Sequence, residues 1–187
     1  MISKIIAEDL VHKTKLDIED AENIVIVAHV GPDGDAMGAS LGLWHFLMTI
    51  EKVPQVIVPT AFPNFLAWMP GVDKVLIYKN DKEKADEYIQ KADLIFTVDF
   101  NALNRLENMS EAVQASKARK IMIDHHLNPE NFVNITISYP EVSSTSELIF
   151  RLICRMVHFS DINLACAECI YTGMMTDTCV FNYNSNH

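Results

Sequence analysis

The chain has 187 residues, enough for one α/β domain or for one domain and part of another. Apolar residues make up 49% of it, which excludes wholesale disorder and supplies a sizeable core. The formal net charge of −10 argues against a stand-alone nucleic-acid binder, because neutralising phosphate needs clustered Lys and Arg; it suits solubility, or a site whose carboxylates hold cations.

The first residues, MISKIIAEDLVHK, carry charges throughout and lack the apolar core of a signal peptide. No apolar run reaches the ~18 residues of a bilayer span, so a cytoplasmic setting without membrane association is the default expectation. Residues 24–29, IVIVAH, form a continuous apolar run suited to a strand buried on both faces. A helix is predicted over 36–52, with Leu41, Trp44, His45 and Met48 at helical spacing. Residues 55–60 read as a strand, followed by a turn-rich stretch with Pro59, Pro63, Pro70 and Gly71. A short strand at 75–78 precedes a charged helix at 82–91. Residues 93–100 form the next strand and 103–116 a helix. The strand at 120–126 ends in charge, and 132–137 alternates like an edge strand. Two helices, 144–158 and 162–176, complete the order.

Strands alternating with helices imply an α/β fold: a mostly parallel sheet with right-handed crossovers and helices on both faces. Ligands of such sheets bind along the edge formed by the C-terminal strand ends. His29 and the turn Gly31-Pro32-Asp33-Gly34-Asp35 follow the first strand. Asp99 ends the fourth, and Asp124-His125-His126 end the fifth. Asp177 closes the last helix. Asp and His together offer oxygen and nitrogen donors, which suit Mn²⁺, Fe²⁺ or Zn²⁺ more than Ca²⁺. Two metals ~3.5–4 Å apart need a bridging carboxylate, and Asp33 and Asp35, two apart in a Gly-containing turn, could each face a different metal. Gly31, Gly34 and Gly38 would let the backbone turn sharply there.

Each residue also has an ordinary explanation. Asp33 could form a turn and Asp35 cap the following helix. Asp99 could cap 103–116, His125 and His126 could be surface histidines, and Asp177 a turn residue. These explanations must all hold independently, whereas one metal site accounts for the whole set. Four cysteines occur, and Cys166 and Cys169 form a CxxC. It lies in an apolar helix-like stretch without a second CxxC, which points to packing rather than redox or zinc chemistry.

HVGPDGDAMGAS (29–40) resembles motif I of the DHH phosphoesterase family. VDF at 98–100 resembles motif II, MIDHH at 122–126 motif III, and TGMMTDT at 172–178 motif IV. Order and spacing match, and the likeness is greatest to the nano-RNase/pAp phosphatase group, also labelled exopolyphosphatase-related. The resemblance implies a Rossmann-like DHH catalytic domain over 1–187 with two divalent metal ions, usually Mn²⁺. It implies that His29 and Asp33 hold one metal, that Asp35, His125 and Asp177 hold the other, and that Asp99 bridges them. Asp124 would orient His125 or support the metal cluster, with a catalytic role, and His126 would face the substrate phosphate, stabilising charge or assisting proton transfer. Ser143-Ser144-Thr145-Ser146-Glu147 resembles a family segment near the substrate whose hydroxyls could donate to phosphate, and Ser144 with Glu147 three residues on could instead form a capping box. Asn101 could contact substrate or start a helix.

The implied substrate is a nucleotide or short oligonucleotide, with a homodimer left open. No Gly-rich GGH-type motif of that group's DHH-associated C-terminal domain occurs in these 187 residues, so either the sequence is a fragment or that substrate clamp is expected to be lacking. A phosphoanhydride hydrolase is the enzymatic alternative. It would need several Lys or Arg around the site, and none clusters beside the motifs. A nucleotide-sensing module without catalysis and a plain α/β interaction domain are the others.

Overall fold

Each buried, β-branched run becomes a strand. A computed structural model describes residues 5–156, 162–180 and 182. The strands are β1 (Ile24–Ala28), β2 (Gln55–Val58), β3 (Leu76–Ile77), β4 (Leu94–Val98), β5 (Arg119–Asp124) and β6 (Ile135–Ser138). They form one parallel sheet in the order β3-β2-β1-β4-β5-β6. Every residue of β1 and β4 is buried, as expected for strands covered on both faces. The edge strand β6 alternates buried and exposed positions.

Side chains of successive strand residues enter opposite layers. Ile24, Ile26 and Ala28 pack with Phe96 and Ile123 beneath α1 (Glu8–Asp20), α2 (Gly34–Thr49), α5 (Thr145–Met156) and α6 (Leu164–Asp177). Val25, Val27 and Ile95 pack on the other side with residues of α3 (Lys82–Lys91) and α4 (Ser110–Ala115). The order runs outward from β1 to β3 on one side and from β4 to β6 on the other. Connections leaving β1 and β4 therefore part in opposite directions, and the crevice between their C-terminal ends is the switch point where such sheets bind ligands.

Two elements differ from the sequence expectation. Residues 103–116 are not one helix. Leu103–Met109 is a 3₁₀ segment, broken at Glu107 (φ 47°, ψ −126°) before the short α4. Leu103, Leu106 and Met109 recur every third residue, the spacing that aligns on one face of a 3₁₀ helix, and all three join the core. The N-terminal helix α1 was not anticipated: its buried stripe is only Val11, Thr14 and Ile18 within a charged segment. The other helices hold with shifted ends, and residues 157–158 of the expected helix 144–158 lie outside the described residues. Among the described residues no helix is long and apolar enough to cross a membrane.

Candidate metal centre

The loops leaving β1, β4 and β5 meet at the switch point. His29 follows β1 directly, and its Nδ1 lies 2.8 Å from the Val30 carbonyl. That contact fixes Nδ1 as the protonated nitrogen and leaves the Nε2 lone pair facing inward. Asp33 is the N-cap of α2: its Oδ1 accepts from the N–H groups of Asp35 and Ala36. The cap is thus Asp33 rather than Asp35. Asp35, 1% exposed in the first turn of α2, instead accepts the N–H groups of Thr145 (2.6 Å) and Ser146 (2.8 Å) that open α5. Asp99 has a left-handed backbone (φ 64°), and its N–H donates to the Ile123 carbonyl, locking the turn after β4 against β5.

Asp177 arrives from the far end of α6. Its approach depends on three glycines at four-residue spacing along α2. A Cβ on Gly34 would stand 2.2 Å from Thr176 Oγ1, one on Gly38 2.7 Å from the Cys169 carbonyl, and one on Gly42 2.6 Å from Ile170 Cγ1. Gly173 on α6 faces the seam as well, where a Cβ would lie 1.9 Å from Ser146 Oγ and 3.0 Å from Asp35 Oδ1. Gly34 and Gly38 therefore serve close helix packing, not a sharp turn. Only Gly31 (φ 59°) uses the left-handed freedom of glycine in that loop.

The donor atoms gather in three overlapping groups: His29, Asp33 and Asp99; Asp35, His125 and Asp177; Asp99, His125 and His126. His29 Nε2 lies 4.0 Å from Asp33 Oδ1 and 3.5 Å from Asp99 Oδ2. His125 Nε2 lies 3.9 Å from Asp35 Oδ2, 3.7 Å from Asp99 Oδ1 and 3.7 Å from Asp177 Oδ2. Such separations are too long for hydrogen bonds. They match the span across a cation whose bonds are about 2.0–2.2 Å, which sets ligand atoms roughly 3–4 Å apart. The two oxygens of Asp99 are divided, Oδ2 toward His29 and Oδ1 toward His125.

The electrostatics point the same way. Asp35 is pushed up by burial, against the opposing hydrogen bonds of Ser146 and Thr145. Burial and then the Asp35 and Asp33 carboxylates hold Asp99 well above the usual aspartate range. Burial, with Asp35, raises Asp177 to about 6. Among the described residues the ion-pair partners of Asp33, Asp35, Asp99 and Asp177 are all histidines. Carboxylates this close and this buried repel one another unless cations stand among them.

A pH dependence follows. An aspartate raised in the fold favours folding while protonated; Asp177 contributes fully below its ordinary value of 3.8 and loses that contribution as pH rises through about 6. Metal-free protein should lose stability over that interval. Added Mn²⁺ should raise Tm more at about pH 7.5 than at about pH 4.5. Thermal melts with and without the ion check this, and an equal or reversed gain contradicts it.

Asp124 is fully buried and accepts both the backbone N–H of His126 (3.1 Å) and its ring Nδ1–H (2.7 Å), so the histidine it orients is His126 and not His125, whose Nδ1 faces the Val142 carbonyl. This bond holds the His126 ring above the usual histidine range, and the side chain is 41% exposed. Thr145 Oγ1 donates to Asp99 Oδ1 at 2.7 Å, so this residue contacts a carboxylate oxygen rather than solvent. Thr145→Val keeps the shape and removes the bond. Metal affinity should fall ~10–100-fold, read by titration with Mn²⁺; unchanged affinity would remove Thr145 from the centre.

The remaining expected contacts are tied into local structure. Ser144 Oγ accepts from the Glu147 N–H, and Glu147 accepts from the N–H and hydroxyl of Ser143, closing a capping arrangement at the start of α5. Asn101 Nδ2 donates to the Leu127 carbonyl, linking the loops after β4 and β5. Cys166 and Cys169 are buried, and burial raises both thiols to about 12, which leaves them inert packing groups. Ser146, from the segment expected to offer hydroxyls to substrate, supplies its N–H to Asp35. One contributor escaped the sequence reading: the charge of Arg105 acts on His126. Arg105, six residues after Asp99, is a lone cation within a polar run, a weak signal.

The description "DHH family, N-terminal domain" matches residues 23–174. The chain belongs to the DHH family. A solved structure of an exopolyphosphatase-related protein from Bacteroides fragilis is 59% identical with a TM-score of 0.98, covering 100% of this chain and 55% of that one. Among curated relatives, the bifunctional oligoribonuclease and PAP phosphatase NrnA of Mycoplasma genitalium is 29% identical, over 90% of this chain and 50% of its own length. RecJ of Thermus thermophilus in complex with Mn²⁺ shares the fold, with a TM-score of 0.60 at 15% identity. This DHH chain spans about half the length of the curated relatives it matches. Of the curated relatives, those from Bacillus subtilis are named as a bifunctional oligoribonuclease and PAP phosphatase, 27% identical over 84% of this chain and 46% of its own length, and as a cyclic-di-AMP phosphodiesterase, 22% identical over 96% and 28%.

Proposed function

We propose that residues 1–187 form a catalytic domain that binds two divalent cations, such as Mn²⁺, and hydrolyses phosphate esters of nucleotides or short oligonucleotides. The division of the Asp99 oxygens between His29 and His125 carries this reading, because a carboxylate split in that way suits a bridge between two ions. His29 and Asp33 would hold one ion with Asp99 Oδ2. Asp35, His125 and Asp177 would hold the other with Asp99 Oδ1. When bound, the pair supplies a water deprotonated near neutral pH and charge to offset the phosphoryl oxygens.

The side chains of the chain do the rest. Asp124 fixes the His126 ring and favours its protonated form, so Nε2–H can donate to a phosphoryl or leaving oxygen. The N–H groups of Thr145 and Ser146 keep Asp35 in place while it is ionised. The start of α2 adds favourable potential for phosphate.

The nucleotide class rests on the likeness to NrnA, named as an oligoribonuclease and PAP phosphatase. A phosphoanhydride substrate is favoured by one observation, the exopolyphosphatase-related name of the 59% identical protein. Compact polyanions need several cations at the site, and Arg105 is the one whose charge acts on His126. The deciding experiment incubates the purified chain and Mn²⁺ with pAp, dinucleotides, cyclic dinucleotides, polyphosphate and pyrophosphate. Release of phosphate or mononucleotide from the nucleotide esters is expected. Turnover of polyphosphate or pyrophosphate alone contradicts the ester assignment, and no turnover of any substrate contradicts the hydrolase.

A further inference from the structure

The segments that build the metal centre are 29–36, 99–110, 124–134, 139–147 and 172–180. Together they hold nine acidic residues and one Arg or Lys, Arg105. Under the two-ion reading above, on which this inference rests, the charges nearly cancel before substrate arrives. Asp33, Asp35, Asp99 and Asp177 would offset two divalent ions, and a protonated His126 is already paired with Asp124. A phosphoryl group brings further negative charge into that crevice, which calls for a cation outside the ligand set.

Arg105 is placed to supply it. Its main chain is fixed on both sides. The N–H donates to the Ala102 carbonyl at 3.1 Å, and the carbonyl accepts the N–H of Val30, one residue after His29, at 2.8 Å. The side chain, by contrast, is exposed and makes no ion pair or hydrogen bond among the described residues. Its charge acts on His126. Val30 and His126 follow β1 and β5, the two strands that flank β4, so the anchor of Arg105 on one side and its field on the other bracket Asp99. Glu107, the nearest acid in sequence, leaves the 3₁₀ segment with φ 47° and ψ −126° and lines a separate cavity at the ends of β2 and β3 instead of pairing with it.

We propose that Arg105 contacts substrate, its guanidinium holding two non-bridging oxygens of the phosphoryl group that is transferred to water. A planar fork of N–H donors matches two oxygens of one phosphate, which an ammonium cannot do. The pinned main chain keeps the fork beside the crevice and limits what is lost in ordering it. The probe is inorganic phosphate, titrated calorimetrically into the Mn²⁺-loaded chain. Arg105→Gln should weaken phosphate binding ~10–100-fold. Its Tm and Mn²⁺ affinity should stay at wild-type values, because the side chain is exposed and outside the donor groups. Arg105→Lys, which keeps the charge and loses the fork, should fall between the two. Lys117→Gln removes an exposed positive charge ahead of β5, at the opposite edge of the sheet, and should bind phosphate as wild type does.

Phosphate affinity unchanged in Arg105→Gln, or weakened equally in Lys117→Gln, overturns the contact. So does a wild-type chain that binds Mn²⁺ but no phosphate, which leaves the metal reading standing. A fall in Tm or Mn²⁺ affinity that accounts for the weaker binding makes Arg105 a structural residue and overturns it as well. Should the wild type bind phosphate in this Arg105-dependent way yet cleave no ester, the contact holds and the hydrolase assignment alone fails.

Discussion

Asp99→Asn is expected to abolish hydrolysis and to leave the metal-free protein at least as stable as wild type. The two effects have one cause. Asp99 is 2% exposed, its carboxylate is held well above the ordinary range by burial and by Asp35 and Asp33, and histidines are its ion-pair partners. In the metal-free fold that charge is a liability, because a buried carboxylate loses its hydration. An amide of nearly the same shape can still accept the Thr145 hydroxyl, and asparagine tolerates the left-handed backbone recorded at this position. With metal, the balance reverses: a neutral amide is a poor bridge between cations. Activity should drop by at least ~10²–10³-fold, the scale of removing one charge-stabilising group, with loss of at least one bound ion. Paired measurements of turnover, metal content and metal-free Tm check the claim. Loss of stability alongside unchanged metal content would make Asp99 a structural residue.

Gly38→Ala is expected to have the largest effect on stability of any single methyl group added to α2. Alanine gains helix propensity of up to ~1 kcal/mol over glycine. Against this, its Cβ would meet the Cys169 carbonyl at 2.7 Å and the Gly173 nitrogen at 2.7 Å. Both are backbone atoms of α6, so neither can rotate away, and the helices must separate. Overpacking of this kind costs ~1–3 kcal/mol, which exceeds the propensity gain for most of that range. A net loss of ~1–2 kcal/mol would lower Tm by roughly 2–8 °C in a chain of this size. Gly42→Ala provides the comparison, since its nearest contact at 2.6 Å is the Ile170 side chain, which can change rotamer. Because α6 carries Asp177, the Gly38 variant should also bind metal less tightly. A Tm at or above that of Gly42→Ala would contradict the seam.

Much of this was legible in the sequence, and the reasons differ by element. Continuous runs such as IVIVA and LIFTV can be little else than strands buried on both faces, and their alternation with helices dictates a parallel sheet. The site residues were legible because each follows an apolar run, and parallel strands deliver their ends to one edge. The structure brings His29, Asp33, Asp35, Asp99, His125, His126 and Asp177 together there.

What sequence could not convey is long-range. The bond from the Thr145 N–H to Asp35 spans 110 positions, so nothing local reveals that the opening of α5 supports a carboxylate on α2. The glycine seam misled for a related reason. Gly34 and Gly38 stand beside a true turn at Gly31, but what they accommodate is α6, far along the chain. The 3₁₀ segment was missed because Leu103, Leu106 and Met109 fit either a three-residue period or a short helical face, and only packing decides. The helix α1 has a stripe too narrow to stand out from its charges.

The most direct test is anomalous diffraction from crystals of the chain grown with Mn²⁺. Two peaks about 3.5–4 Å apart, one beside His29 and Asp33 and one beside His125 and Asp177, with Asp99 between them, are the expected result. A crevice without a peak, or a single ion that leaves the Asp99 carboxylate untouched, would contradict the two-ion bridge.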